Sequence, residues 1–105
     1  MATITRTVVL ALDGEFDITS RAELEEATLA AVTAAGSGGR VVVDLGAVGF
    51  IDSEAVAAII LGYRAAADAG CAYRLANARG LVRRILEIAG LLELIGEDDA
   101  AVSEP

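Results

Sequence analysis

The sequence predicts an α/β domain in which a mixed sheet carries packed helices, and three observations support that reading. Short β-branched apolar runs alternate with stretches whose apolar residues recur at helical intervals, the order of strands followed by helices. The run Val41 to Leu45 is near-continuous in apolar side chains, as expected of a central strand covered on both faces. With 105 residues, 55% of them hydrophobic, the chain can build one domain with a real core and is too short for two. Ala and Val supply much of that content, so the core is expected to be small aliphatic side chains packed closely.

Residues 2–5 and 7–12 read as two short strands, the second closed by a turn at Asp13-Gly14. Ser20 followed by Glu23 has the spacing of a capping box, opening a helix whose inward stripe is Leu24, Ala27, Ala31 and Ala34. The segment Gly36-Ser37-Gly38-Gly39 is a loop within the domain. After the Val41–Leu45 strand, a short Gly-containing connection leads to a helix over Ser53–Ala69, with Val56, Ile59, Ile60 and Tyr63 on one face and Gly70 as a left-handed cap. Ala72–Ala76 is a further strand. Asn77 is placed to cap the next helix, whose stripe is Leu81, Val82, Ile85, Leu86 and Ala89, and Gly90 ends that element. Leu91–Ile95 packs as a terminal turn, strand or helix. Residues 1–97 thus make the single domain, and 98–105 an acidic, frayed tail.

The charge balance is 8 basic against 16 acidic residues, a net of -8. Phosphate backbones and anionic membrane surfaces are repelled, so neither nucleic acid nor membrane is an expected partner, and a basic protein surface is. The start MATITRTVVLALDGEF has no basic segment leading into a long apolar one, and charges interrupt every apolar stretch. The expectation is a soluble, cytoplasmic protein.

The chain contains no histidine, which excludes Ser/His and Cys/His nucleophile pairs. Gly36, Gly38 and Gly39 do not join a strand to a helix and fail as a phosphate-binding loop. The acid pairs Glu15/Asp17 and Asp98/Asp99 fix too little geometry for a metal, and no cofactor is implied. Cys71 reads as a small buried side chain rather than a redox group. Arg79, Arg83 and Arg84 form a basic cluster, either a solvated helix face or a contact for an acidic partner or phosphate. Ser53 stands at a helix start, where a serine serves as a cap or offers its hydroxyl to a phosphate; local sequence favours the cap.

The order GEFD, then VVVDLGAVGFIDSEAVAAIILGYRAAADAG, then AYRLANARGLVRRILEIAGLLELI resembles a STAS domain of the bacterial anti-sigma factor antagonist type, over about residues 4 to 95. Phe50-Ile51-Asp52-Ser53 combined with the Gly90-Leu91 ending is the specific part. The resemblance implies a STAS-like mixed sheet of about four or five strands with helices packed on one side, and no enzymatic activity. It implies binding to an anti-sigma factor that is also a serine kinase, phosphorylation of the serine after the motif Asp to break that complex, and a phosphatase to restore it. It points to transcription regulation of the stress-response or sporulation kind. The phosphorylated serine corresponds to Ser53, and the partner-binding surface to Asp17, Asp52, Ser53 and Glu54. Glu54 and Ala55 stand where the family pattern has Ser and Gly, so Glu54 sets a permanent negative charge beside Ser53. If that charge mimics the modified state, Glu54→Ser strengthens partner binding. The same departure leaves a second reading open: a STAS scaffold or interaction module, a homodimer or a co-assembly of STAS chains, not switched by the usual kinase.

Overall fold

The computed structural model describes residues 6–16 and 21–95. The elements run β1 (Thr7–Phe16), α1 (Arg21–Ala35), β2 (Arg40–Ile51), α2 (Ser53–Ala69), β3 (Ala72–Ala76) and α3 (Gly80–Ile88), closed by a 3-10 turn over Leu92–Leu94. The described strands form a three-stranded parallel sheet in the order β1-β2-β3, with each crossover made by a helix. The expected strand at 2–5, Ser20 of the capping box and the tail at 98–105 lie outside the described residues, among which the sheet has three strands.

Two expected turns are strand instead. β1 continues through Asp13-Gly14, and β2 continues from Leu45 through Gly46 and Gly49 to Ile51. The two interruptions face each other: Asp13 pairs with Ala47 and Gly14 with Val48, with register shifts on either side. The glycine-bearing stretches therefore make irregular, bulged ladder rather than ending it.

Along β2 the burial alternates. Val41, Val43 and Leu45 are almost fully buried, while Val42 and Asp44 between them are only half-buried. β2 is central, but among the described residues it is covered on one face and not on both. Val9, the neighbour of Val42 in the ladder, is 60% exposed on the same open side. The covered face meets Leu24 and Ala31 of α1, Ala58 and Ile59 of α2, and Val82 and Leu86 of α3 in one core. Leu91, Leu94 and Ile95 close that core at and around the 3-10 turn.

The helical stripes differ in phase from the expected ones. In α1 the buried residues are Leu24, Thr28, Ala31, Val32 and Ala35; Ala27 is half-buried and Ala34 exposed. The stretch is Ala-rich on every face, so hydropathy alone does not locate the inward one. Thr28 is tolerated inside because its hydroxyl donates to the Leu24 carbonyl at 2.8 Å. In α2 the expected span is found as Ser53–Ala69, ended by Gly70 at φ 74. Tyr63, expected in the core, is 42% exposed. The buried aromatic is Tyr73 of β3, whose hydroxyl donates to the Ile59 carbonyl at 3.0 Å. Gly62 lets the three elements close, since a Cβ there would overlap the Thr28 methyl and lie 2.8 Å from the Tyr73 hydroxyl. In α3 only Val82 and Leu86 are buried; Leu81 and Ala89 are exposed.

Candidate functional site

The site grows from the end of β2. Ile51 is buried and anchors the strand, and Asp52 then leaves it in extended backbone (φ -112, ψ -174). The Asp52 carboxylate accepts the Ala55 N–H at 2.9 Å, and its carbonyl accepts the first helical bond, from the Val56 N–H at 3.0 Å. Asp52 is therefore the N-cap of α2. Ser53, favoured as the cap on local sequence, is instead the first helical residue. Its side chain is exposed and bonds to no other described residue. Ala55 is buried in regular helix, so the Ala in place of Gly fits without backbone strain.

Glu54 does not stand as a bare charge beside Ser53. Its carboxylate forms an ion pair with Nη1 of Arg21, the first residue of α1. The same guanidinium donates through Nε to Glu25 at 2.7 Å. The hydrogen bonds it donates, to Glu25 first and Glu54 second, raise the Arg21 pKa above its ordinary value. The i,i+4 pairing of Arg21 with Glu25 was legible as a sequence spacing. The cross-helix half, to Glu54, has no local signal.

Beside Ser53 lies an open, largely apolar cleft of about 360 Å³ between the α2 start and α3, lined by Phe50, Val56, Ile85 and Ile88. Ile88 is 76% exposed and Phe50 39%. Such side chains concentrated beside a polar rim mark a contact surface. Asp52 and Ser53 are thus brought together at the rim of one cleft, while Glu54, the next residue, is turned to Arg21 of α1. Asp17 lies outside the described residues.

The arginine cluster does not converge. Arg79 donates to the Gly46 carbonyl at 3.1 Å, and Arg83 pairs along its own helix with Glu87 at 2.9 Å. A second cavity of about 460 Å³, between the middle of β1 and β2 and the segment after β3, is lined by Asp44, Asn77 and Arg79 among others. The Asp44 carboxylate accepts from Asn77 at 3.0 Å and from the Gly46 N–H at 2.9 Å. These two bonds, in that order, lower its pKa. Asn77 sits at φ 64 and holds Asp44 instead of capping α3, whose first residue follows Arg79 with no side-chain cap bond. Cys71 is buried, and burial pushes its thiol pKa up. Among the described residues no three acidic or Cys side chains converge on a metal position, and no helix is long and apolar enough to cross a membrane. Glu15/Asp17 and Asp98/Asp99 fall outside the described side chains.

The family model described as "Mlab, STAS domain" matches residues 3–96. No curated protein sequence matches. Solved structures do. The anti-sigma factor antagonist SpoIIAA in its unphosphorylated form is 24% identical, with 96% of this chain and 90% of that one covered, at a TM-score of 0.72. The Bacillus cell fate determinant SpoIIAA in the phosphorylated form is 20% identical, with 96% and 93% covered, at 0.68. A sulfate transporter family protein from Wolinella succinogenes is 16% identical, with 89% and 74% covered, at 0.71. At these identities the likeness establishes a shared fold.

Proposed function

The chain belongs to the STAS domain family, and on that premise we propose that it is an anti-sigma factor antagonist, acting by binding rather than catalysis in the cytoplasm. In this reading it binds an anti-sigma factor serine kinase, and phosphorylation of Ser53 ends the binding until a phosphatase reverses it. One observation carries the reading: the Ser53 hydroxyl is exposed, is free of capping duty and stands at the rim of an open apolar cleft. An accessible hydroxyl at that position can be modified without breaking a bond the fold needs.

The chemistry of the switch follows from where the phosphate would sit. Unmodified, the cleft takes apolar side chains of the partner against Phe50 and Ile88. A phosphoserine adds roughly -1.5 to -2 charge, with a firmly held hydration shell, at the rim of that contact. Close packing would then strip water from a dianion, and any acidic group of the partner would be repelled. The helix start tolerates the new charge, because its unpaired N–H groups and dipole favour an anion. Modification therefore weakens binding and leaves the fold intact.

The test is a pulldown from native lysate with wild-type, Ser53→Ala, Ser53→Asp and Ile88→Ser proteins, with intact-mass measurement for a phosphate adduct. The expected result is capture of a kinase-like ATPase by wild type and Ser53→Ala. Capture should fall at least tenfold for Ser53→Asp and Ile88→Ser, with unchanged melting temperatures. Equal capture by all four overturns the reading.

The likeness to a transporter-family STAS domain, together with Glu54 and Ala55 where the antagonist pattern has Ser and Gly, favours a second reading as a scaffold or interaction module. Size-exclusion chromatography separates the two: a monomer or dimer accords with the antagonist, a large assembly of STAS chains with the scaffold.

A further inference from the structure

We propose that Arg21 is the receptor for a phosphate on Ser53, and that it takes the phosphate in exchange for Glu54. The proposal rests on Ser53 being the modified residue. Arg21 opens α1 and reaches across to the start of α2, where it pairs with Glu54, the residue next to Ser53. Described residues engage two of its five N–H donors, Nε by Glu25 and one Nη1 hydrogen by Glu54. Among the described residues nothing else engages the fork, which leaves donors for a second anion at the same helix end.

The competition has a clear direction. Glu54 offers a single charge through one oxygen contact, from a side chain one-third exposed to one 43% exposed. Such a pair is weakly held. A phosphoserine one residue earlier presents about twice the charge and three acceptor oxygens, and guanidinium binds phosphate bidentately in preference to point contacts. Two other described charges at this corner are already engaged: Asp52 accepts the Ala55 N–H, and Glu25 keeps the Nε side of the fork.

The exchange gives Glu54 a role in this chain. In the unmodified protein its charge is covered by Arg21, so it is not a standing imitation of the phosphorylated state. On modification Arg21 turns to the phosphate and the Glu54 carboxylate is released. The start of α2 then carries a freed carboxylate besides the phosphate, and α1 is tied to α2 through the modified residue. Arg21 is a positioning residue in this scheme.

The experiment places phosphoserine at position 53 of the full chain by genetic encoding and follows its second ionisation by phosphorus NMR. Arg21→Gln should raise the phosphate pKa by about half a unit, roughly a threefold change in proton affinity. Arg21→Lys, which keeps the charge without the fork, should lie between. In a Glu54→Gln background the Arg21→Gln effect should grow, because the competitor has gone. A rise below about 0.1 unit, or the same rise in both backgrounds, overturns the exchange. The helix start contributes equally to every variant and drops out of the differences. The measurement needs no kinase, so failure to find phosphorylated chain in cells would count against the switch and leave this result standing.

Discussion

Two neighbouring side chains at the start of α2 have separate duties: Asp52 holds the helix and Ser53 faces out. Asp52→Ala is therefore expected to lower stability by about 1 kcal/mol in urea unfolding. Ser53→Ala should stay within about 0.5 kcal/mol of wild type, and the reverse order would refute the assignment. The sequence located the helix start to within one residue and gave the cap to the wrong side chain. Asp and Ser are both good caps, and only the backbone angles of residue 52 separate them. Asp44 offers a pH test of the same grain. Asn77 and the Gly46 N–H hold its folded pKa below the unfolded value of about 3.9, so its stabilisation is in place above that value and is lost as pH falls through the folded one. The gap in melting temperature between wild type and Asn77→Ala should thus be widest near pH 6 and narrow on acidification. A gap that stays constant would remove the role given to this pair.

At the scale of elements, Gly62 fixes how closely α2 approaches α1 and β3. Gly62→Ala gains about 1 kcal/mol in helix propensity, but the added methyl overlaps Thr28 and meets the Tyr73 hydroxyl, an overpacking of about 1–3 kcal/mol. The expected outcome is a lower melting temperature, partly recovered by Thr28→Ser, which removes the obstructing methyl and keeps the hydroxyl bond to Leu24. Element types and the limits of α2 and β3 were legible, because caps, glycine and periodicity all act within a few residues. Facing was less so. Ala27 and Ala34 are as apolar as Ala31 and Ala35, and only contact with α2 and the sheet decides which pair is inside. Leu81 reads as core by type, yet on a helix of nine residues the two positions Val82 and Leu86 suffice to cover the sheet.

At the scale of the whole molecule, the described residues cover the sheet on one side, and this sets the distribution of stability among them. Val41→Ala should cost about 2 kcal/mol, as a buried side chain on the covered face. Val9→Thr, on the open face, should change unfolding free energy by less than about 0.5 kcal/mol. Comparable losses at both would mean that the open face is covered in solution. Strand–helix alternation gave the α/β class correctly. Among the described residues the double covering inferred for β2 is not found: Val41, Val42 and Val43 are equally apolar, so a central strand with one half-exposed face looks in sequence like one with none. Net charge was legible from composition, whereas the pairing of Arg21 with Glu54 depends on packing two helices far apart in the chain.

Asp52 and Ser53 would leave different marks in a saturation library scored once for cellular abundance and once for partner capture. Position 52 should be depleted in both scores, since losing the cap thins the folded population before any partner is met. Position 53 should pass the abundance filter with almost any small residue, keep capture with Ala and lose it with acidic residues. The two scores thus separate what folding requires at this helix start from what the proposed partner contact requires.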